Sequence, residues 1–164
     1  MRYDKSFLRN KSLLQRRIKH KSVKKFNFNL IFKLIKKHFS SKKIAIGGYY
    51  PSNYEVNILK FLEEASKKKF RIALPVIRPS NKMFFTTWLY KKPLNVNQFG
   101  IPEPKNAKKR IIPDLIMVPL VAFDNSLNRI GYGKGYYDRS LRKINKEKKN
   151  VISLGIAYSF QKCK

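Results

Sequence analysis

The sequence predicts an α/β fold: a mainly parallel sheet with helices on both faces, in a three-layer, Rossmann-like arrangement that begins with N-terminal helices. Along the chain, segments with apolar residues at helical spacing alternate with short apolar, strand-like runs. Such alternation is typical of parallel strands joined by helices that cover the sheet. The length of 164 residues suits one domain, and we expect residues 1–164 to form it.

Four segments have the spacing of helices with one buried face. Apolar residues recur at positions 8, 13, 14 and 18 in the first segment, and at 28, 31, 32, 35 and 39 in the second. The third would bury Ile58, Leu62 and Ala65. The predicted helices cover residues 5 to about 20, 28–39, a segment from about Tyr54, and 135–146.

Five runs predict strands, at residues 43–50, 71–76, 82–87, 115–118 and 151–157, of which 82–87 is the weaker. The segment from Tyr90 to Pro113 contains four prolines and is expected to be a loop. In an open parallel sheet, ligands bind at the carboxyl ends of the strands. Tyr50, Pro75 and Pro119 fall at those ends, so we expect the functional site there.

The formal net charge of +29 raises the question of a nucleic-acid partner, because basic surfaces gain affinity by releasing counterions from phosphates. Fifteen of the 38 cations fall in the first 43 residues, and the others are scattered. No RNA-binding sheet signature, zinc finger or helix-turn-helix is recognisable. We therefore expect a solvated basic exterior and no specific nucleic acid, with a basic RNA-binding protein as an alternative. The same field would attract ATP and anionic folates.

Other compositional features bound the class of protein. No apolar run approaches the roughly 20 residues of a membrane span, and the lysine-rich start lacks the apolar core of a secretory signal. Cys163 is the single cysteine, which excludes an internal disulfide and a cysteine metal cluster. We expect a monomeric, cytoplasmic protein without a membrane partner.

Residues 118–139 are the most informative segment. They join an apolar run to a helix that begins near Tyr136, through a loop with Gly131, Gly133 and Gly135. Closely spaced glycines let successive backbone N–H groups converge on one anion, and the positive end of the helix dipole adds to the attraction. The segment therefore predicts a phosphate-binding loop, with a glycine-rich turn of purely conformational purpose as the alternative.

Charged residues flank this loop. Arg129 and Lys134 add positive charge, and Asp138 offers a carboxylate as a metal ligand. Spacing excludes two familiar phosphate motifs. The dinucleotide fingerprint requires glycine where the chain has Tyr136, and the P-loop requires Ser or Thr where it has Gly135.

The segment closely resembles the signature of the 5-formyltetrahydrofolate cyclo-ligase family, also called methenyltetrahydrofolate synthetases. A strand ending VP-x-VAFD there leads into R-[IL]-G-[YR]-G-x-G-Y-Y-D. Further pieces agree in order over nearly the whole chain: Lys5 with Leu8-Arg9, Tyr50-Pro51, Glu55-Val56, Ala73-Leu74-Pro75, Met83-Phe84, Trp88, and Phe99-Gly100-Ile101-Pro102-Glu103-Pro104.

The resemblance implies ATP and Mg²⁺ as co-substrate and metal, with 5-formyltetrahydrofolate as the substrate. It implies that Arg129 and Lys134 are catalytic, and that Asp138 binds Mg²⁺. The expected ATP-binding residues are Lys5, Arg9, Arg129, Gly131, Tyr132, Gly133, Lys134, Gly135, Tyr136, Tyr137 and Asp138. The expected substrate-binding residues are Tyr50, Glu55, Phe84, Trp88, Glu103 and Tyr137, with Glu55 bonded to the pterin.

Several of these residues also have ordinary structural interpretations. Glu55 could be a first-turn acid that complements a helix dipole, and Glu103 a turn residue between two prolines. Asp138 could cap its helix or pair with Lys134. Lys5 and Arg9 could belong to a solvated helix face, and the aromatic residues to the core. Asp124 could simply cap the turn after Phe123.

The activity that the resemblance implies is ATP-dependent ring closure. The formyl oxygen attacks the γ-phosphate to give an imidoyl phosphate, and the neighbouring nitrogen then closes the ring and releases phosphate. The product is 5,10-methenyltetrahydrofolate. Family members continue beyond the position of Gln161 with a second metal-associated Asp and a last strand, so the chain is expected to be C-terminally short. A noncatalytic folate- or nucleotide-binding relic is therefore a second hypothesis.

Overall fold

The fold is seen in a computed structural model that describes residues 4–23, 26–39, 43–79, 82–105, 107 and 109–163. Its helices are α1 (Lys5–Lys19), α2 (Asn29–His38), α3 (Leu59–Lys67) and α4 (Tyr136–Glu147). Short 3₁₀ helices occupy His20–Ser22 and Ser159–Gln161. The strands are β1 (Ala45–Gly47), β2 (Arg71–Arg78), β3 (Lys82–Thr87), β4 (Leu94–Val96), β5 (Pro102–Pro104), β6 (Arg110–Ile111), β7 (Leu115–Pro119), β8 (Ala122–Phe123), β9 (Arg129–Ile130) and β10 (Ile152–Ile156).

Six strands form the central sheet, in the order β10-β7-β1-β2-β3-β6. The strands β10, β7, β1 and β2 run parallel, whereas β3 and β6 are antiparallel to their neighbours. The strands β4 with β5 and β8 with β9 form two separate two-stranded sheets. The predicted α/β fold with a mainly parallel sheet is confirmed, and the antiparallel edge begins at the weaker predicted strand.

Side chains of the central strands alternate between two cores, as the twofold period of a strand requires. In β7, Leu115 and Met117 pack in the larger core, which also holds apolar residues of α2 and α3. Ile116 and Val118 point into the smaller core with Ile144 of α4. Both faces of the sheet are therefore covered by helices, as the sequence predicted.

The helix expected from about Tyr54 begins only at Leu59. Asn53 and Tyr54 have φ values of 45° and 60°, in the left-handed region that an α-helix cannot continue through. The side chain of Asn57 then accepts a hydrogen bond from the Leu59 N–H at 3.0 Å. The predicted burial of Ile58, Leu62 and Ala65 is nevertheless confirmed.

The segment from Tyr90 to Pro113 was expected to be a loop, and this prediction is wrong in part. It contains β4, β5 and the short edge strand β6. Because proline lacks an N–H donor, Pro102 and Pro104 argue against a strand in the sequence. They are accommodated because, within the described part of the chain, β5 pairs with β4 alone.

Candidate active site

The glycine loop lies between a short hairpin and the start of α4. The strands β8 and β9 follow β7 directly, and Val121 N–H donates to the Ile130 carbonyl at 2.7 Å. The carboxylate of Asp124 closes the hairpin turn by accepting from Asn128 N–H at 2.8 Å and from Asn128 Nδ2 at 2.9 Å. The structural interpretation of Asp124 as a turn cap is therefore confirmed.

Two of the three loop glycines have backbone conformations that other residues rarely adopt. Gly133 has φ 97° and Gly135 has φ 67°, and Gly135 directly precedes the first residue of α4. Left-handed backbone is inexpensive for glycine because it lacks Cβ. Peptide N–H groups can consequently turn toward one point in front of the helix N-terminus, where an anion is favoured.

Arg9 reaches this loop from the first helix. Its Nε donates to the Gly131 carbonyl at 2.8 Å, across 122 residues of sequence. A Cβ added to Gly133 would lie 3.5 Å from Arg9 Cζ, so the guanidinium also covers the middle of the loop. The structure therefore brings Arg9 to the glycine loop, and Lys5 is exposed one turn earlier on the same helix.

Arg129 and Asp138 form an ion pair across the loop. The Arg129 side chain is 20% exposed and Asp138 is 66% exposed, so the carboxylate remains open to solvent. The Arg129 guanidinium also lies 5.9 Å from the centre of the Tyr137 ring. Asp138 thus pairs with Arg129 and not with Lys134, whose side chain is exposed and whose carbonyl accepts from Arg139 at 2.9 Å.

Glu55 lies in the loop before α3, not in a helical first turn, and only 8% of it is exposed. Its Oε1 accepts from the hydroxyl of Tyr132, in the glycine loop, at 3.0 Å. Its Oε2 accepts from Ser52 N–H at 2.8 Å. Burial raises the pKa of the Glu55 carboxyl, against the lowering effect of these hydrogen bonds and of a nearby arginine.

The nearby arginine is Arg16 of α1, which the sequence reasoning missed. It is buried, and its Nη2 donates to the Tyr132 hydroxyl. Its Nη1 donates to the Leu120 carbonyl at 3.2 Å. The signal that identifies it is spacing, because Arg16 follows Arg9 by two helical turns and therefore shares its face.

Tyrosines surround this buried pair of charges. Tyr49 donates to the Val56 carbonyl at 2.8 Å and Tyr158 to the Glu55 carbonyl at 3.4 Å. Burial raises the pKa of Tyr132 and of Tyr137 well above the ordinary tyrosine value, so both phenols stay protonated. Within the described part of the chain, the buried Tyr137 hydroxyl has no hydrogen-bond partner.

Residues 2–164 match the model of the 5-formyltetrahydrofolate cyclo-ligase family. The chain belongs to this family. It is 34% identical to the 5-formyltetrahydrofolate cyclo-ligase of Haemophilus influenzae, over 93% of this chain and 80% of that protein. It is 32% identical to the corresponding protein of Mycoplasma pneumoniae, over 97% of this chain and 88% of that protein. The family predicted from the glycine loop is confirmed, and with it a ligase of folate one-carbon metabolism.

Solved structures of family members share the fold. The Aquifex aeolicus 5,10-methenyltetrahydrofolate synthetase superposes with a TM-score of 0.67 at 32% identity, over 96% of this chain and 79% of that one. The Mycoplasma pneumoniae 5,10-methenyltetrahydrofolate synthetase gives a TM-score of 0.64 at 27% identity, over 99% and 90%. The arrangement of sheet and helices in this cyclo-ligase family member is therefore that of its relatives.

An open cleft lies beside the strands β4 and β5. Its volume is about 370 Å³, and Tyr50 and Trp88 line it together with Leu59, Tyr90, Lys91, Lys92, Leu94, Val96 and Pro102. Trp88 is nearly buried and its indole N–H donates to the Lys92 carbonyl at 3.1 Å. The structure thus brings Tyr50 and Trp88 to one cleft, with lysines at its edge.

Two other expected substrate residues have structural partners. Glu103 lies in β5 and not in a turn, and it accepts from Ile77 N–H at 3.1 Å. It also forms an ion pair with Arg78 at 3.3 Å. The guanidinium of Arg78 lies 5.7 Å from the centre of the half-buried Phe84 ring. A contact of Glu103 or Phe84 with substrate stays a prediction.

Tyr136 begins α4 and its ring lies 5.8 Å from that of Phe99, centre to centre. Among the described residues, no three His, Cys, Asp or Glu side chains converge on one point. No helix in the described ranges is long and apolar enough to cross a bilayer. His20 and His38, to which the sequence assigned no role, lie at the ends of the first two helical segments.

Proposed function

We propose that the protein converts 5-formyltetrahydrofolate to 5,10-methenyltetrahydrofolate and couples this reaction to the conversion of ATP to ADP and phosphate. One observation carries the proposal. Tyr132 of the glycine loop donates a hydrogen bond to Glu55, so the loop suited to phosphate and the carboxylate expected to bind the pterin are neighbours. A phosphoryl group held by the loop and a folate held by Glu55 would therefore lie next to each other.

ATP would bind with its phosphates over the glycine loop. The N–H groups around Gly133 and Gly135 and the start of α4 offer fixed donors. Arg9 and Arg129 flank the loop with guanidinium groups, which suit phosphate oxygens. Lys5 and Lys134 are exposed and would contribute positive charge from flexible stems.

Mg²⁺ is commonly held by one or two carboxylates together with substrate phosphates. Asp138 fits this role, because it lies in the first turn of α4 and its carboxylate is solvent-accessible. We propose that Asp138 would hold the metal, and that Arg129, which is paired with Asp138 in this structure, would contact the phosphates. When bound, the metal would neutralise phosphate charge.

The buried polar groups near the glycine loop would bind the folate. Glu55 is suited to accept N–H groups of the pterin, since a buried carboxylate has few competing water molecules. The Tyr137 hydroxyl, buried without a partner among the described residues, is available as a donor to the substrate. Tyr50 and Trp88 would contact the aromatic part of the folate in the open cleft.

In the proposed reaction, the formyl oxygen attacks the γ-phosphorus of ATP and ADP leaves. The neighbouring folate nitrogen then attacks the formyl carbon and loses its proton to solvent, the ring closes, and the C–O bond breaks with release of phosphate. This chemistry requires orientation of the two substrates and stabilisation of charge on the phosphoryl oxygens, not a protein nucleophile. Arg129 is the residue we assign to that charge, because it lies at the loop with one-fifth of its side chain exposed.

We further propose that the protein acts in the cytoplasm, as a monomer and without a specific nucleic-acid partner. In support, the proposed contacts all come from one chain, from α1, the loop before α3, the cleft and the glycine loop. Small anions such as ATP and folate would be attracted by the charge of +29 without any dedicated interface.

The test mixes purified protein with ATP, Mg²⁺ and 5-formyltetrahydrofolate, and follows the near-ultraviolet absorbance of the methenyl product together with ADP. We expect equal amounts of both products. The variant Glu55→Gln should raise the KM for the folate, whereas Glu64→Gln on the half-exposed face of α3 should not. Folded protein that binds folate or nucleotide, but forms neither product, would establish the noncatalytic relic instead.

A further inference from the structure

Arg16 is a buried charge, with 1% of its surface exposed. A buried guanidinium is costly unless it is paired and hydrogen-bonded. Its Nη groups donate to the Leu120 carbonyl and the Tyr132 hydroxyl, and its Nε has no hydrogen-bond partner among the described residues. Neither acceptor carries a negative charge, so its electrostatic compensation must come from farther away.

That compensation is supplied through the Tyr132 phenol. The hydroxyl accepts from Arg16 on one side and donates to Glu55 on the other. Burial, reinforced by the charge of Glu55, raises the pKa of Tyr132, so the phenol keeps the proton it donates. Arg16 and Glu55 are therefore an indirect ion pair, joined by a neutral group that belongs to the glycine loop.

The same helix contacts the loop at two successive residues. Arg9 holds the Gly131 carbonyl and Arg16 holds the Tyr132 side chain. The two arginines are seven residues apart, and they share one face of α1. Their contacts tie the loop to α1 through one backbone carbonyl and one side chain.

We propose that Arg16 is a positioning residue for ring closure: acting through Tyr132, it orients the Glu55 carboxyl group for the folate. This inference rests on the proposed function, which assigns Glu55 to the substrate. Arg16 itself touches neither substrate in this role. Among the described residues, the titratable and charged groups that face Glu55 are Arg16 from α1, Tyr132 from the glycine loop, Tyr137 from α4, Tyr49 after β1 and Tyr158 after β10.

The main test compares Arg16→Met with Arg17→Met, its exposed neighbour on α1. Both variants remove one positive charge from the same helix. For Arg16→Met we expect the KM for the folate to rise about tenfold or more, from the lost hydrogen bonds to a charged group. The acidic limb of the kcat/KM profile should move to higher pH. Arg17→Met should match the wild type in both.

Two further variants separate charge from hydrogen bonding. Arg16→Lys keeps the positive charge near Tyr132 but not the fork of donors. Its acidic limb should therefore match that of the wild type, whereas its KM for the folate should lie between those of the wild type and Arg16→Met. Tyr132→Phe removes the bridge itself, and Arg16→Met should add little to it in the double variant. If Arg16→Met does not fold, Tyr132→Phe decides: an unchanged acidic limb there would overturn the proposal.

A second measurement does not depend on catalysis. The side-chain carbon of Glu55 is titrated by NMR in ¹³C-glutamate-labelled protein, with Glu55→Gln used to assign the signal. The proposal requires a higher Glu55 pKa in Arg16→Met than in wild type and Arg17→Met. An unchanged pKa overturns it. A raised pKa in a protein that makes no methenyl product would support the Arg16 linkage while refuting the proposed function.

Discussion

Gly133 tests the glycine loop, because at this position the steric effect of an added Cβ can be separated from the strain of the backbone conformation. The Cβ of Gly133→Ala would meet Arg9 Cζ at 3.5 Å, an ordinary contact. The φ of 97°, in contrast, is strained for alanine. A non-glycine residue held in such a region costs about 1–3 kcal/mol. For a domain of this size, that lowers the melting temperature by roughly 2–12 °C.

The expected loss of activity is larger than the loss of stability. A loop that relaxes its φ turns peptide N–H groups away from the phosphates, and one lost donor to a developing charge costs on the order of 10²–10³ in turnover. Steady-state kinetics with varied ATP and thermal unfolding by circular dichroism measure the two effects. Folate affinity should change little.

Gly100→Ala is the matched control. Gly100 has φ 73° in the turn between β4 and β5, and a Cβ there meets nothing within 4 Å. It should lower the melting temperature by a similar amount and leave the KM for ATP unchanged. If folded Gly133→Ala shows the same kinetics as Gly100→Ala, then this loop does not hold the phosphates and its assignment is refuted.

Three further predictions concern charge. Arg129→Ala should lower kcat by orders of magnitude with nearly unchanged folate affinity, since the charge of Arg129 matters most in the transition state. Lys134→Ala should mainly raise the KM for ATP. Equal defects in the two variants would contradict this contrast. The kcat/KM for the folate should fall as the pH falls through the pKa of Glu55, which burial raises above the ordinary carboxyl value. The reason is that only the ionised carboxylate accepts two N–H groups. The variant Glu55→Gln should lose this acidic limb of the pH profile, and an acidic limb that persists in the variant would belong to another group. The basic surface should bind duplex DNA or RNA weakly and with steep salt dependence in a filter-binding titration, whereas sequence-selective binding at high salt would show a dedicated interface.

The parts of the site that are local in sequence could be predicted from it. The glycine spacing and the start of α4 at Tyr136 are both determined by one short segment, and the structure contains the glycine loop followed by a helix that begins at Tyr136. The glycine spacing and the helix start could be predicted because glycine conformation and helix spacing depend on few neighbours. The structure places Arg9 on the loop, and its contact with ATP stays a prediction.

The features that could not be predicted from the sequence depend on tertiary contacts and burial. Arg16 is one of fifteen cations in the first 43 residues, and its spacing from Arg9 predicts a shared helix face but not its burial, which depends on contacts distant in sequence. The late start of α3 depends on left-handed conformations at Asn53 and Tyr54, which propensity disfavours for a tyrosine. The pairing of β4 with β5 was hidden by prolines that only an edge position tolerates.

One carbonyl joins the first helix and the last described turn. The Leu120 oxygen accepts from Arg16 at 3.2 Å and from Gln161 Nε2 at 2.8 Å, and Gln161 also bonds the Val121 carbonyl at 2.8 Å. Residue 16 therefore reaches its final environment only after residue 161 has been synthesised and has left the ribosome. Contacts of such sequence separation form slowly, so this centre should form late in the folding of the protein.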